Sequence, residues 1–211
     1  MEFNLSEFNT AFPWFFPPVV FVFGTMIGSF LNVVIYRVPK GESIVHPGSH
    51  CSCGQPIAWY DNIPILSWFI LRGKARCCGQ PYAFRYAFVE ILTGVLFLAS
   101  WLSHPPAAAL AGMVMLAMLV AATFIDLDHM IIPDSITIWG TVGAVMISAL
   151  LPSLHGFDTA PLYVLASIRA AFTAVIGALI GSALILWIGL LAEAVLRKEA
   201  IGFGDVKFMG L

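Results

Sequence analysis

Charged residues are scarce in this sequence. They make up 10% of the 211 residues, whereas a typical soluble domain contains about 25%. Apolar residues make up 60% of the chain, and the mean hydropathy is +0.91. So little charge excludes an ordinary soluble domain. We therefore predict an all-α polytopic membrane protein in contact with the lipid bilayer, and we expect no nucleic acid among its partners.

A basic segment is missing ahead of the first apolar run. The chain starts with Met-Glu-Phe-Asn-Leu-Ser-Glu-Phe, which contains no lysine or arginine. A secretory signal peptide needs a positively charged region at its start. We therefore expect no cleaved signal peptide, and the first helix should stay in the membrane.

Apolar runs long enough to cross a bilayer occur five times. About 20 apolar residues in a helix span the hydrocarbon core. The runs cover about residues 17–36, 86–102, 106–125, 135–152 and 167–192. They predict a bundle of about five or six transmembrane helices. We expect Asp134 or Ser135 to cap the helix that follows Pro133.

The runs divide the chain into three predicted parts. These are an N-terminal segment with the first transmembrane helix over 1–36, a small cytoplasmic Cys-rich insert over 37–85, and a transmembrane core over 86–211. Threading the runs alternately through the membrane collects nine of the ten basic residues on the side of the insert. By the positive-inside rule this side is cytoplasmic.

Cysteine is also rare, and all four cysteines lie in the insert. They form two clusters, Cys51/Cys53 and Cys77/Cys78, and each cluster is followed by Gly-Gln-Pro. Paired Cys-Gly turns resemble zinc knuckles, in which four thiolates hold one structural Zn²⁺. A knuckle normally has two residues between its cysteines, whereas these clusters have one and none. Two interpretations stay open: structural zinc, or reduced structural thiols.

Small residues repeat at a spacing of four in the first and last runs. The pairs are Gly24/Gly28 and Gly177/Gly181. This spacing lets two membrane helices approach closely. We interpret both pairs as helix–helix contact faces, and we expect Asn32 to form a hydrogen bond within the bundle.

Acidic motifs lie where two apolar runs end. Asp126 belongs to Ile-Asp-Leu-Asp-His after the third run, and Asp205 belongs to Gly-Phe-Gly-Asp after the fifth. An ionised side chain in hydrocarbon costs about 2.5–3.5 kcal/mol on insertion scales, so these carboxylates are candidate functional groups. Two neighbouring carboxylates share a proton and can activate water between them. Gly202 and Gly204 leave space beside Asp205 for a substrate backbone.

Five motifs in one order resemble the bacterial type IV prepilin peptidases, also called prepilin leader peptidases/N-methyltransferases. This family belongs to the GxGD class of intramembrane aspartic proteases. The resemblance covers the chain from about residue 17 to its end. The motifs are Gly28-Ser-Phe-Leu-Asn-Val-Val-Ile-Tyr-Arg-Val-Pro39, the cysteine insert around Asp61-Asn-Ile-Pro-Ile-Leu-Ser-Trp68, Arg85-Tyr86 to Glu90, Ile125-Asp-Leu-Asp-His-Met-Ile-Ile-Pro-Asp134 and Gly202-Phe-Gly-Asp205.

The resemblance implies an enzyme that removes basic leaders from type IV prepilins and type II secretion pseudopilins. Cleavage would take place at the cytoplasmic face of the bacterial inner membrane. The family's catalytic roles match Asp126 and Asp205, and proteolysis of this kind requires no cofactor. The resemblance also implies N-methylation of the new N-terminus with S-adenosylmethionine, for which the sequence contains no glycine-rich loop of Rossmann type.

The sequence departs from the family pattern in two respects. The cysteine spacings are shorter, and the chain ends six residues after Asp205, where family members continue through further membrane helices. We therefore expect a truncated form of an active enzyme. Two other classes of function stay open: a proton- or cation-coupled transporter that uses Asp126, Asp134 and Asp205, and a non-catalytic membrane scaffold.

Overall fold

Helices form most of the structure. The computed structural model describes residues 11–157, 162–197 and 202–210. Within these ranges β pairing occurs only as two isolated bridges, so the predicted all-α class is confirmed. The helices are α1 (Phe16–Arg37), α2 (Leu66–Ile70), α3 (Arg85–Ser103), α4 (Pro106–His129), α5 (Asp134–Leu150), α6 (Tyr163–Leu196) and α7 (Phe203–Phe208), with short 3-10 segments at Val38–Lys40, Trp59–Asn62 and Pro152–His155.

Each of the five predicted membrane runs contains a helix. Four helical segments are long and apolar enough to cross a membrane: Phe16–Lys40, Arg85–Ser103, Pro106–His129 and Tyr163–Leu196. The fifth, α5, is apolar but has only 17 residues. The predicted polytopic class is therefore confirmed. One detail is wrong: Pro133 occupies the N-cap position of α5, and no side chain caps this helix.

The chain forms two compact units, residues 1–125 and 126–211. The boundary lies inside α4, just before Asp126. The division into residues 1–36, 37–85 and 86–211 stays a prediction, because it rests on membrane topology rather than on compactness.

The predicted glycine contact face on α1 is confirmed in the N-terminal unit. A Cβ added at Gly24 would lie 2.8 Å from the Cα of Gly94, and one at Gly28 would lie 2.7 Å from the Cα of Glu90. Both distances are shorter than van der Waals contact, so only glycine lets α1 and α3 pack this closely. Asn32 forms the expected hydrogen bond and donates from Nδ2 to the Tyr86 carbonyl over 3.0 Å.

A cluster of apolar side chains fills the interior beside this contact. Helices α1, α3 and α4 each contribute to it, because their apolar residues recur on the faces that meet. The buried members are Val20, Phe97, Trp101, Ala109 and Met113.

The insert is attached to α3 through a strained turn. Ile65 has φ +64° and ψ −56°, and the Leu66 N–H donates to the Pro64 carbonyl over 2.6 Å, which closes a γ-turn. The Ile65 N–H donates to the Glu90 carboxylate over 2.7 Å. This hydrogen bond stabilises a positive-φ backbone conformation that a β-branched residue rarely adopts.

In the C-terminal unit, α6 packs against α5 and α7. A Cβ at Gly181 would meet the backbone carbonyl of Met209 at 2.5 Å, so the contact predicted for this glycine is confirmed. Gly177 differs, because a Cβ there would meet nothing within 4 Å in the described part of the chain. The contact predicted for Gly177 is therefore not formed within the described residues.

Candidate functional site

The aspartates of the two acidic motifs line one cavity. It has a volume of about 340 Å³ and lies entirely within the C-terminal unit. Asp126 is half-buried and Asp205 is exposed. The remaining lining residues are Met130, Ile131, Ile132, Asp134, Gly202, Gly204 and Lys207.

The end of α4 positions Asp126. The helix continues to His129, so Asp126 lies in its last turn rather than beyond it. Met130 then takes a left-handed conformation with φ +54°, and its N–H donates to the Asp126 carbonyl over 2.8 Å. This hydrogen bond satisfies a carbonyl at the helix C-terminus and turns the chain toward α5. The segment from Met130 to Ile132 consequently forms one wall of the cavity.

Glycine positions Asp205 on the short helix α7. Gly202 is the extended residue before the helix, and the Asp205 N–H donates to its carbonyl over 3.1 Å. A Cβ at Gly204 would lie 3.6 Å from the Cβ of Ile132. That distance is an ordinary contact, so a methyl group fits there and a larger side chain would project into the cavity. The predicted role of Gly202 and Gly204 in substrate approach stays a prediction.

An ion pair joins the two motifs. The Lys207 ammonium donates to Asp134 Oδ1 over 2.7 Å, and both side chains keep contact with solvent. The sequence interpretation did not predict this pair. The only signal was Lys207 itself, which follows Asp205 by two residues inside the same motif.

The other polar residues of the Ile-Asp-Leu-Asp-His motif lie elsewhere. Asp128 and His129 are exposed, and neither lines the cavity. Because residues two apart on a helix point to nearly opposite faces, Asp126 and Asp128 cannot both face Asp205.

The four cysteines of the insert converge despite their short spacings. The sulfurs of Cys51 and Cys78 are 3.5 Å apart, and those of Cys53 and Cys77 are 3.3 Å apart. All four sulfurs lie within 4.8 Å of one another, and all four are free thiols. Tetrahedral zinc with Zn–S bonds of about 2.3 Å needs sulfurs about 3.8 Å apart. The cluster could therefore hold one metal ion.

Backbone turns bring these thiols together. Each cysteine pair lies in a tight loop closed by an isolated bridge, His50 with Pro56 and Lys74 with Pro81. The Cys53 backbone N–H and neighbouring thiols lower the pKa of the Cys51 thiol to about 6, and hydrogen bonding to Cys51 and Cys53 raises the pKa of the Cys77 thiol to about 12, so one thiolate is favoured in the metal-free cluster. The thiolate is the form of cysteine that binds metal.

Two family models match the chain over separate parts. The Bacterial Peptidase A24 N-terminal domain matches residues 22–104. The Type IV leader peptidase family matches residues 113–211, which include both aspartates of the cavity.

Individual relatives match over almost the whole chain. A "Prepilin leader peptidase/N-methyltransferase" of Myxococcus xanthus is 39% identical over 207 residues, which cover 93% of this chain and 56% of the relative. A protein of the same name from Klebsiella pneumoniae is 36% identical over 214 residues, which cover 97% of this chain and 87% of the relative. A "Type 4 prepilin-like proteins leader peptide-processing enzyme" of Escherichia coli is 39% identical and covers 96% of this chain and 77% of its own.

The relatives differ in how much of their own length the chain covers. The chain spans little more than half the length of the Myxococcus relative, and no solved structure matches it. The peptidase family predicted from the five motifs is nevertheless confirmed by both the family models and the relatives. The chain belongs to the type IV leader peptidase family.

Proposed function

We propose that the protein is a membrane aspartic endopeptidase that removes the leader peptide from type IV prepilins and from type II secretion pseudopilins. One observation carries this proposal: Asp126 and Asp205, far apart in sequence, line the same cavity. The names of the relatives support the substrate class, since they describe prepilin leader peptidases.

The two carboxyl groups supply the chemistry of peptide hydrolysis. In this mechanism one of the two carboxyl groups that line the cavity acts as a general base and the other as a general acid. The ionised carboxylate takes a proton from a water molecule, which attacks the scissile carbonyl carbon. The protonated partner donates a hydrogen bond to the carbonyl oxygen and so stabilises the negative charge that develops there. A proton then passes to the amide nitrogen as the C–N bond breaks.

The walls of the cavity suit an extended peptide. Gly202 and Gly204 present backbone without side chains, so a substrate strand can approach Asp205 closely. Ile131 and Ile132 add apolar surface to the lining of the same cavity. This combination favours a substrate whose cleaved segment continues into a hydrophobic stretch.

The distribution of basic residues between the two predicted sides of the membrane supports a cytoplasmic location for the cavity. Nine of the ten lysines and arginines fall on one predicted side of the membrane, together with both acidic motifs. The positive-inside rule places that side in the cytoplasm. Leader removal would therefore take place at the cytoplasmic face of the bacterial inner membrane.

Methyl transfer is a second proposed activity. It rests on the names of two relatives, which include N-methyltransferase, and it would use S-adenosylmethionine as methyl donor. For the four cysteines we propose structural zinc. Zinc would fix the two turns of the insert relative to each other and take no part in peptide hydrolysis, because four thiolates leave no open coordination position.

Mass spectrometry of the substrate tests the proposed function. Membranes containing the protein are incubated with a purified prepilin, with and without S-adenosylmethionine, and the N-terminus of the product is sequenced. We expect loss of the leader in both samples, and one added methyl group only where the methyl donor is present. An intact prepilin together with cation flux into vesicles would support the transporter hypothesis instead. An intact prepilin without flux would support the scaffold.

A further inference from the structure

A second cavity in the N-terminal unit has no role in the proposed catalysis. It is a groove of about 330 Å³ between one face of α1 and loops of the insert. Met26, Ser29, Phe30, Val33 and Arg37 line it from the helix. The insert contributes Ile44, Val45, Pro47, Gly48, Ser49, Asn62 and Pro64. We call it the α1 groove.

Arg37 is a buried cation without a carboxylate. Only 7% of its surface is exposed. Its guanidinium donates to the Ser43 carbonyl over 2.9 Å and to the Gly48 carbonyl over 3.4 Å. Within residues 11–157, 162–197 and 202–210 it forms no ion pair. A guanidinium has five N–H donors, so others remain for a ligand. Burying a charge without a counter-charge is costly, and an anion in the α1 groove would remove that cost.

The helical wall of the groove changes from polar to apolar along its length. Met26, Phe30, Val33 and Arg37 are spaced by four, three and four positions, which places them on one helix face, and the hydroxyl-bearing Ser29 lies beside Phe30. Met26 is 56% exposed and Phe30 is 47% exposed. At 1.5 Å per residue, Arg37 lies about 16 Å along the axis from Met26. One leaflet of a bilayer has a hydrocarbon depth of about 15 Å.

These dimensions match an amphiphile in one leaflet. We propose that the α1 groove binds a phospholipid from the leaflet next to the insert. Its phosphodiester would pair with Arg37, and one acyl chain would lie along Val33, Phe30 and Met26. A small polar anion, such as the carboxylate of an amino acid, would satisfy the guanidinium but would leave the apolar wall uncovered.

The bound lipid would also connect two parts of the N-terminal unit. Arg37 already holds the carbonyls of Ser43 and Gly48, so the phosphate would complete a set of contacts at the start of the insert. The acyl chain would cover α1 below it. Lipid occupancy would therefore help fix the insert against the first membrane helix.

Photolabelling with a lipid analogue tests this site. The full-length protein in nanodiscs is mixed with phosphatidylglycerol that carries a diazirine on one acyl chain, irradiated, digested and analysed by mass spectrometry. We expect labelling of the α1 peptide that contains Met26 and Phe30. Diacylglycerol with the same diazirine chain lacks the phosphate, so it should label this peptide at least fivefold less.

Two substitutions provide matched variants. Met26→Trp fills the groove from an exposed position and should reduce phospholipid labelling at least fivefold. Val22→Trp, also exposed on α1 but outside the groove, should leave it unchanged. Arg37→Lys retains the positive charge but lacks the planar guanidinium that binds phosphate through two hydrogen bonds. It should reduce the difference in α1 labelling between the phospholipid and the diacylglycerol.

Three results would overturn the proposal. The first is equal labelling by the phospholipid and the diacylglycerol, which would mean that Arg37 does not recognise phosphate. The second is unchanged labelling in Met26→Trp. The third is displacement of the probe by saturating S-adenosylmethionine, which would assign the groove to a soluble carboxylate ligand.

Discussion

Lys207 and Asp134 form an ion pair of 2.7 Å that ties the start of α5 to the helix carrying Asp205. The lysine follows the second catalytic candidate, and the aspartate closes the segment that begins at the first. The pair therefore fixes the two acidic motifs relative to each other at the edge of the cavity.

Charge reversal tests the Lys207–Asp134 pair. Exposed ion pairs contribute about 0.2–1 kcal/mol, so we expect Lys207→Gln to slow leader cleavage by roughly 1.5- to 5-fold. The single variant Lys207→Asp should slow it further, because two carboxylates would then repel each other. Adding Asp134→Lys should restore most of the lost rate in an initial-rate cleavage assay. A double variant no faster than Lys207→Asp would show that the pair does not position the motifs.

Substitution of Gly204 separates substrate access from folding. A methyl group would lie 3.6 Å from Ile132, so Gly204→Ala should fold and retain most of its activity. Gly204→Val extends into the cavity and should reduce kcat/KM at least tenfold while membrane insertion stays normal. Gly143→Val is the control, because a Cβ at Gly143 meets nothing within 4 Å in the described structure. Equal activity of the two valine variants would contradict a role for Gly204 in substrate approach.

The α1–α3 contact predicts different responses at equivalent glycines. Gly24→Ala would force a methyl group to within 2.8 Å of the Gly94 backbone, and such overpacking costs roughly 1–3 kcal/mol. Gly177→Ala adds the same group to open space, so its unfolding temperature should equal or exceed that of the parent. Thermal unfolding in detergent, followed by tryptophan fluorescence, measures both. Equal unfolding temperatures for the two variants would mean that α1 and α3 are not closely packed.

The cysteine cluster predicts one zinc ion per chain. Metal analysis of the purified protein should give a stoichiometry near one, and prolonged treatment with a strong chelator should remove the zinc and make the insert sensitive to protease. Cys51→Ser and Cys77→Ser should each retain less than half of the metal. Ser52→Ala lies in the same turn but changes no ligand, so it should retain all of it. Protein that is free of zinc as isolated, with a protease-resistant insert, would favour reduced structural thiols.

Helix positions could be predicted from the sequence because each depends on local apolar length. The spacing of Gly24 and Gly28 likewise predicted the close contact between α1 and α3. The position of Asp126 and Asp205 at one membrane face stays a prediction. Termini were less predictable. Helix α4 continues through Asp126 to His129, since an apolar run ends where its composition changes, whereas a helix ends where its backbone hydrogen bonds find other partners.

Contacts between distant segments could not be predicted. The spacing of Cys51 and Cys53, and of Cys77 and Cys78, argued against a shared metal, yet the turns of the insert bring all four sulfurs within 4.8 Å. The rule for cysteine spacing applies to the two cysteines within one turn. Here the cluster forms only when two separate turns of the insert come together. The bond between Ile65 and Glu90 is similar, because 25 residues separate its partners and nothing in either local sequence indicates the other.

Leader cleavage by Asp126→Asn and Asp205→Asn variants tests the proposed catalytic dyad most directly. Asp128→Asn is the matched control from the same motif. Each variant is inserted in membranes at equal amounts and incubated with a prepilin, and product is measured as a mobility shift on a gel. If Asp126 and Asp205 share the activation of water, each of their variants should lose activity by roughly a thousandfold or more, while Asp128→Asn should keep at least a third of the parental rate. Cleavage at the parental rate by either Asp126→Asn or Asp205→Asn would contradict the proposed dyad.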